Sequence, residues 1–360
     1  MKVGISCNAL KHSGGLERYA MDLVRGLAAR GVRPVFFARK FDPSVPEYAL
    51  VEPHRINVSL LPGKLRDTWF SRRVVTLRRR TGVDVLIGCN RVDSSEIAIC
   101  GGTHRGFLRA TGRTLRGSDS RQIALESQQY ARSRVIVAHS DLMSAELREL
   151  YGVDEAKIRV LCPPVDGECF SPVDAGTRAA LRRQYGFADH ETVLLFASSS
   201  HERKGLPLIE QVVEKLDLPV VVAVAGRAPE RTSARVRYIG YVKDLENAYR
   251  AADYSILAST YEPFGLVGIE SVMCGTPVIF SSNIGCCDAI ADNAKYLFRP
   301  GDAADLRRAI ETAVAERGRR VEPAEPANPS GSHPAILYDA SVQAHVDALL
   351  ELVADISPTR

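Results

Sequence analysis

Short apolar runs and helix-spaced apolar positions alternate along this chain. Nearly uninterrupted runs stand at residues 2–7, 35–37, 83–88 and 135–138, and again at 193–197, 220–225, 236–239, 254–257 and 278–280. Runs of this length without polar alternation suit strands buried on both faces. Between the first two, Leu16, Tyr19, Ala20, Leu23, Val24 and Leu27 recur at helical spacing, which predicts a helix ending at Arg30-Gly31. Strands alternating with helices imply parallel sheets whose ligand loops lie at the strand carboxyl ends. The pattern breaks at Cys162-Pro163-Pro164-Val165-Asp166, a proline-stiffened connection. It divides the chain into an α/β domain over residues 1–165 and a second over 166–320. Residues 317–335 are polar and proline-rich and read as a surface linker, and residues 342–353 form a last amphipathic helix.

The 360-residue length fits two domains, and 45% apolar with 25% charged residues is ordinary for a globular chain. No run of about eighteen apolar residues is present, and Met1-Lys2-Val3-Gly4-Ile5 enters a strand directly, so a cytoplasmic location without a signal peptide is expected. The eight cysteines lack CxxC spacing, which favours reduced thiols, and no His/Cys/Asp set has metal-ligand spacing, so no metal is expected. The net charge of +4 is modest but unevenly spread. Arg72, Arg73, Arg78, Arg79 and Arg80 crowd one segment; Arg105, Arg109, Arg113, Arg116 and Arg121 follow, with Phe107, Leu108 and Leu115 between them. Such segments suit anionic lipid head groups at the inner face of a membrane, or a phosphorylated glycolipid, although solvated helix faces have the same composition. Base-stacking platforms and base-reading motifs are missing, which argues against nucleic acid.

The chemistry concentrates in residues 259–280. Glu262 and Glu270 bracket Pro263-Phe264-Gly265-Leu266-Val267-Gly268-Ile269, and a turn, Cys274-Gly275-Thr276-Pro277, leads into the run 278–280. A loop entering a helix near Gly265 would present unpaired N–H groups where the dipole is positive, a natural phosphate site. Carboxylates beside phosphate make sense as hydrogen-bond acceptors for hydroxyls on ribose or a sugar ring. Phosphate together with a polyol reads as a nucleotide sugar. A capped core helix with an acidic first turn is the plainer alternative. Three more loops fall at predicted strand ends. Gly14-Gly15 before the first helix allows close backbone approach to a ligand, or only a turn. Arg203 and Lys204, in Ser198-Ser199-Ser200-His201-Glu202-Arg203-Lys204-Gly205, offer charge-assisted donors to a diphosphate, or only an exposed basic loop. His104, in Gly101-Gly102-Thr103-His104-Arg105, can exchange hydrogen bonds with a sugar hydroxyl, or serve the fold alone.

The block Glu262-Pro263-Phe264-Gly265-Leu266-Val267-Gly268-Ile269-Glu270, followed by the small-residue turn and Pro277-Val278-Ile279-Phe280, resembles the E-x7-E signature of retaining GT-B glycosyltransferases of family 4. Gly-Gly-Leu-Glu-Arg and Arg203-Lys204-Gly205 match further family elements, and the Gly-Arg often found just upstream of the latter is Ala197-Ser198 here. The glycine-histidine-arginine element and Leu161-Cys162-Pro163-Pro164 are similar to the bacterial lipopolysaccharide core glucosyltransferase I group. The resemblance implies two Rossmann-like domains with parallel sheets facing a cleft, and a last helix (about residues 340–360) returned to the first domain. Glu262, His104, Gly14 and Gly15 would then position the donor sugar. Arg203, Lys204 and the amides of Phe264, Gly265, Leu266 and Val267 would hold the diphosphate, and Glu270 the ribose. Gly226-Arg227 and Tyr241 fall where the family shapes the base pocket.

The implied reaction is transfer of a hexose, glucose from UDP-glucose, to a glycan or lipopolysaccharide-core hydroxyl with retention of configuration and without a metal cofactor. Arg203 and Lys204 would stabilise charge developing on the departing diphosphate. A nucleotide-sugar epimerase on the same fold and a non-catalytic homologue that binds sugar nucleotides are the other two readings. The first would consume no acceptor, and the second would turn nothing over.

Overall fold

The computed structural model describes residues 1–198, 200–317 and 333–356. Two compact units emerge. One comprises Met1–Pro164 together with the C-terminal helix Val342–Ile356, and the other Val165–Ser341. In the first, seven strands form one parallel sheet: β1 (Val3–Ser6), β2 (Val35–Ala38), β3 (Glu52–Arg55), β4 (Val85–Gly88), β5 (Ile97–Cys100), β6 (Val135–Ala138) and β7 (Ile158–Val160). They lie in the order β3-β2-β1-β4-β5-β6-β7. The central strands are buried along their whole length, as their unbroken apolar runs require.

The second unit repeats the arrangement with β8 (Thr192–Ser198), β9 (Val220–Gly226), β10 (Val236–Gly240), β11 (Tyr254–Leu257), β12 (Val278–Ser281) and β13 (Lys295–Phe298). Its order is β10-β9-β8-β11-β12-β13. In both sheets the chain winds outward from the first strand, then crosses back to the other side. That reversal leaves a crevice beyond the carboxyl ends of the two strands flanking it, where doubly wound sheets receive ligands. In the second unit those strands are β8 and β11, paired through Leu194 with Tyr254 and Leu195 with Ser255.

The C-terminal helix packs on helix Gly15–Ala29. Val346, Leu349 and Val353 enter the first unit's core, each contributing about 1.5–3 kcal/mol by burial. Gly26 permits the approach, since a Cβ there would sit 2.5 Å from Val346 Cγ2. Arg30 clamps Asp347 through Nε and Nη2 at 2.7 and 2.6 Å. Deeper in, Tyr19 Oη lies 2.8 Å from His345 Nε2, and His345 Nδ1 lies 2.9 Å from the carbonyl of Cys162. Of the proline-rich segment expected over 317–335, residues 318–332 lie outside the described residues. Arg317 at its start bonds the carbonyls of Asp189, His190 and Glu191, and Ile336 just beyond its end bridges to Ile290 in the second unit.

The arginine-rich segments are partly internal. Residues 72–80 fall within helix Gly63–Thr81, where Arg72, Arg73, Arg79 and Arg80 are exposed. Arg78, counted with them from sequence, is instead turned inward. Its guanidinium bonds the carbonyls of Ser94 (2.6 Å) and Asp84 (2.8 Å) and pairs with Glu96 at 2.7 Å, giving donors to the segments that lead into β4 and β5. Arg105 and Arg113 lie over the rings of Tyr151 and Phe107 at 5.1 and 5.4 Å. Among the described residues, no helix is long and apolar enough to cross a membrane.

Candidate functional site

The loops leaving β8 and β11 meet at the switch point of the second sheet. Two backbone bonds tie them together, Ala258 N–H to the carbonyl of Lys204 (3.1 Å) and Thr260 N–H to that of Arg203 (3.0 Å). Gly205, at φ +78°, makes this approach possible, since a Cβ would stand 2.6 Å from the carbonyl carbon of Ala258. Asn283, past the end of β12, donates to the carbonyls of Ser259 and Thr260 at 3.1 Å each. The loop carrying Glu262 is therefore fixed by main-chain and amide bonds on both sides.

Within this frame Arg203, Lys204 and Glu262 converge. Arg203 Nη1 donates to Glu262 Oε2 at 3.0 Å and to the carbonyl of Tyr261 at 2.8 Å. Lys204 Nζ lies 3.7 Å from the same oxygen, too far for a hydrogen bond. The Lys204 side chain is only 12% exposed, yet among the described residues its ammonium donates no hydrogen bond. Two cations share one carboxylate, leaving the cluster one positive charge in excess. An anionic ligand answers that excess, and charge-assisted bonds to it would be short and strong.

Gly265 stands at φ +92° and opens helix Leu266–Met273, whose N-terminus has no side-chain cap. A Cβ at Gly265 would sit 2.9 Å from Ile284 and 3.2 Å from Glu262 Cγ, so the turn that aims the helix start beside Glu262 depends on glycine. Leu266 and Val267 are half-buried at this start, while Phe264 is buried with its ring edge-on to Tyr338. Glu270, expected to point along the same opening, is only 3% exposed, and Tyr249 Oη donates to its Oε2 at 3.0 Å. At this depth a carboxylate requires a partner, and the tyrosine supplies one.

Gly226 and Arg227 lie alongside. Arg227 N–H bonds the carbonyl of Ser198 (3.2 Å), and Gly226, at φ +106°, has no room for a Cβ against that same carbonyl, 2.7 Å away. Tyr238 Oη donates to the carbonyl of Gly226 at 2.9 Å, and Tyr241 is 79% exposed beyond β10. Thus Arg203, Lys204, Glu262, Gly265 and Glu270, with Gly226 and Arg227, gather on one unit. Gly14, Gly15 and His104 belong to the other. Gly14 and Gly15 are exposed at the uncapped start of helix Gly15–Ala29.

His104 begins helix His104–Thr111, capped by Thr103, whose Oγ1 accepts from Gly106 N–H at 2.9 Å. Its Nε2 lies 2.9 Å from Asp119 Oδ1, and its backbone N–H reaches both oxygens of Glu126 at 3.2 and 3.0 Å. Glu126 also receives Arg91 Nε at 2.7 Å and the Tyr151 hydroxyl. The Arg116 backbone N–H, and then His104, hold the Asp119 carboxyl below the usual carboxylate range. Sequence reasoning passed over Tyr249, Asn283, Asp119 and Glu126. The spacing of Asp119 and Glu126, seven residues apart on helix Gly117–Arg132, was the one available signal, because it puts both on one face. Among the described residues no group of three or more His, Cys, Asp or Glu is placed to hold a metal ion.

The sequence model of Glycosyltransferase Family 4 matches residues 13–168, and that of Glycosyl transferases group 1 matches residues 177–328. A probable transglycosylase of Burkholderia thailandensis is 65% identical over 100% of this chain and 99% of its own length. The chain belongs to this glycosyltransferase family. Among solved structures, WaaG, a glycosyltransferase involved in lipopolysaccharide biosynthesis, superposes with a TM-score of 0.78 at 18% identity, covering 99% of this chain and 100% of its own. Anabaena HepE in complex with UDP-glucose gives a TM-score of 0.75 at 16% identity over 99% and 100% of the two chains. At that identity the likeness establishes the fold, which is GT-B with two Rossmann-like domains. The glycosyltransferase is thus an α/β enzyme whose second unit brings two cations and a carboxylate to a helix start.

Proposed function

We propose that this glycosyltransferase moves glucose from UDP-glucose to a hydroxyl of a lipopolysaccharide-core glycan, with retention at the anomeric carbon. The observation that carries the reading is Lys204, whose largely buried side chain carries an ammonium with no hydrogen-bond acceptor among the described residues, beside Arg203 and the uncapped helix start at Gly265. A diphosphate provides acceptors for all three. Glu262, with Oε2 occupied by cations and Oε1 accepting no hydrogen bond among the described residues, suits a sugar hydroxyl. Glu270, fixed by Tyr249, suits the ribose. On the first unit, Gly14, Gly15 and His104 are the residues this reading assigns to sugar, and on the second the main chain around Gly226, Arg227 and Tyr241 is assigned to the base.

In this scheme the bond between C1 and the β-phosphate oxygen breaks as the acceptor oxygen joins C1 on the same face. The hydroxyl proton passes to the departing phosphate, and both electrons of the broken bond stay on the diphosphate. Arg203 and Lys204 stabilise that growing charge, which is where fixed cations accelerate transfer. Neither Glu262 nor Glu270 acts as a nucleophile, so the arrangement differs from the paired carboxylates of glycosidases. The exposed arginines of residues 72–80 and 105–121 suit an enzyme working on a glycolipid at the cytoplasmic face of a membrane.

The test is nucleotide release from a panel of nucleoside diphosphate sugars in EDTA, with and without lipopolysaccharide-core acceptor, followed by the anomeric configuration of the product. UDP release from UDP-glucose that rises with acceptor, and an α-linked product, are expected. Sugar transfer between oligosaccharides with no nucleotide-sugar turnover would overturn the reading in favour of a transglycosylase, as the Burkholderia relative is described.

A further inference from the structure

The first unit treats one histidine unlike any ordinary helix-starting residue. Helix Gly117–Arg132 lends His104 two carboxylates from the same face, Asp119 for the ring and Glu126 for the backbone N–H. Each carboxylate is itself fixed. Asp119 Oδ2 accepts the Arg116 backbone N–H at 2.8 Å, at the helix start. Glu126 is held by Arg91 and Tyr151. Asp119 and Glu126 are buried, whereas the His104 side chain keeps 17% of its surface exposed. Two buried anchors thus orient one imidazole that still reaches the surface.

The direction of the ring bond follows from chemistry. An ionised carboxylate only accepts, so a neutral His104 must place its proton on Nε2 to satisfy Asp119. Nδ1 is then bare, and among the described residues nothing donates to it. A bare ring nitrogen accepts a hydrogen bond and cannot offer one. We propose that Asp119 is a positioning residue that locks His104 in the Nε2–H tautomer, so that Nδ1 accepts a hydrogen bond from a hydroxyl of the sugar substrates. The proposal rests on the reading above for where His104 meets sugar, and it adds the polarity of that contact and the residue that sets it. A hydroxyl that donates to Nδ1 keeps its own lone pairs free for a second partner. The site therefore selects hydroxyl-bearing sugar over a deoxy or O-methyl analogue at that position, because the analogue leaves Nδ1 unmatched.

Asp119→Asn separates the polarity of the bond from its presence. The amide oxygen can still accept the Arg116 N–H and keep the helix cap, while the NH2 group donates to the ring and drives the proton to Nδ1. Nitrogen-15 spectra of the ring-labelled protein at pH 8 read the tautomer without any substrate. The expected result is Nε2–H in the wild type and Nδ1–H in Asp119→Asn; an Nδ1–H or doubly protonated wild-type ring would overturn the proposal. Kinetics form the second arm, with UDP-glucose or whichever sugar nucleotide releases nucleotide in the donor panel. Asp119→Asn should lower kcat by ~10- to 100-fold at a nearly unchanged Tm, the scale of one reversed polar contact. A reversed tautomer with unchanged turnover would refute the acceptor role of Nδ1. Full turnover in His104→Ala would instead sink the placement of His104 beside the sugar while leaving the tautomer assignment intact. Asp119→Ala, which loses the cap as well, measures the stability share through its Tm.

Discussion

Replacing Lys204 by methionine separates ligand binding from stability more cleanly than any other change at the site. Methionine keeps the length and burial of the stem but removes the ammonium. Among the described residues that ammonium pairs with Glu262 Oε2 alone, at 3.7 Å, a separation worth about 4 kcal/mol of Coulomb attraction at an effective dielectric constant near 20. Much of this attraction is offset by the cost of partly stripping water from a charge whose side chain is only 12% exposed. Arg203 also remains on the same oxygen at 3.0 Å, so Glu262 is not abandoned. The expected change in folding stability is therefore within about 1 kcal/mol. Binding of the diphosphate should respond differently. A charge-assisted bond made only in the complex contributes roughly 1.5–3 kcal/mol, which corresponds to a 10- to 150-fold rise in Kd for UDP. Calorimetric titration of UDP into both proteins, with thermal unfolding on the same samples, measures the two terms. A Kd within twofold of wild type at an unchanged Tm would refute the assignment of Lys204 to the diphosphate.

Three further outcomes follow from the geometry. Tyr249→Phe removes the donor to buried Glu270 Oε2; KM for the donor should rise about tenfold, and less for a 2′,3′-dideoxyribose analogue, in steady-state assays. Gly205→Ala forces a Cβ against the Ala258 carbonyl at a positive φ, and should lower Tm by several degrees and weaken UDP binding together, because the loop carrying Arg203 and Lys204 must move. Burial holds the His345 imidazole down to about 4, and burial with the neighbouring His345 charge holds His139 to about 3. The unfolded chain then binds more protons than the folded one below the ordinary histidine range, so stability should be full above about pH 6.5 and fall with pH from there, by up to ~1.4 kcal/mol per unit for each histidine. Denaturant titrations at pH 7, 6 and 5 would show it, and His345→Gln should flatten the slope.

The parts of this protein that were legible in its sequence are those where local chemistry and local pattern coincide. Central strands such as Val220–Gly226 are buried on both faces and announce themselves as apolar runs. The glycine at 265 and the paired carboxylates at 262 and 270 belong to one short stretch, so their joint purpose could be argued from spacing. Edge strands were harder. Glu52–Arg55 is polar and half-exposed, Lys295–Phe298 is short and only partly buried, and pairing with buried neighbours makes both of them strands. Arg78 misled because composition counts charges without their directions, whereas loop carbonyls before β4 and β5 draw this one arginine inward. Tyr249 and Asn283 could not have been found by spacing, since Tyr249 acts on a helix and Asn283 on a loop that only the tertiary fold brings beside them.

That dependence on sheet order also explains how Arg203, Lys204 and Glu262 are brought together and held. Like charges at adjacent positions repel, and a loop holding both would ordinarily turn one toward water. Here the carbonyls of Arg203 and Lys204 are pinned by the N–H groups of Thr260 and Ala258, bonds that exist because β8 and β11 are neighbours across the switch point. The backbone thereby prepays part of the ordering of both side chains, and Glu262 pairs with both cations. A diphosphate entering such a site need not organise it, so more of its binding energy remains for the charge that appears only as the sugar departs. The same reasoning makes Glu262 a competitor of the ligand for the cations, and Glu262→Gln should therefore tighten UDP binding severalfold in calorimetry while slowing sugar transfer. Weaker UDP binding in that variant would mean that the carboxylate orders the cations more than it restrains them.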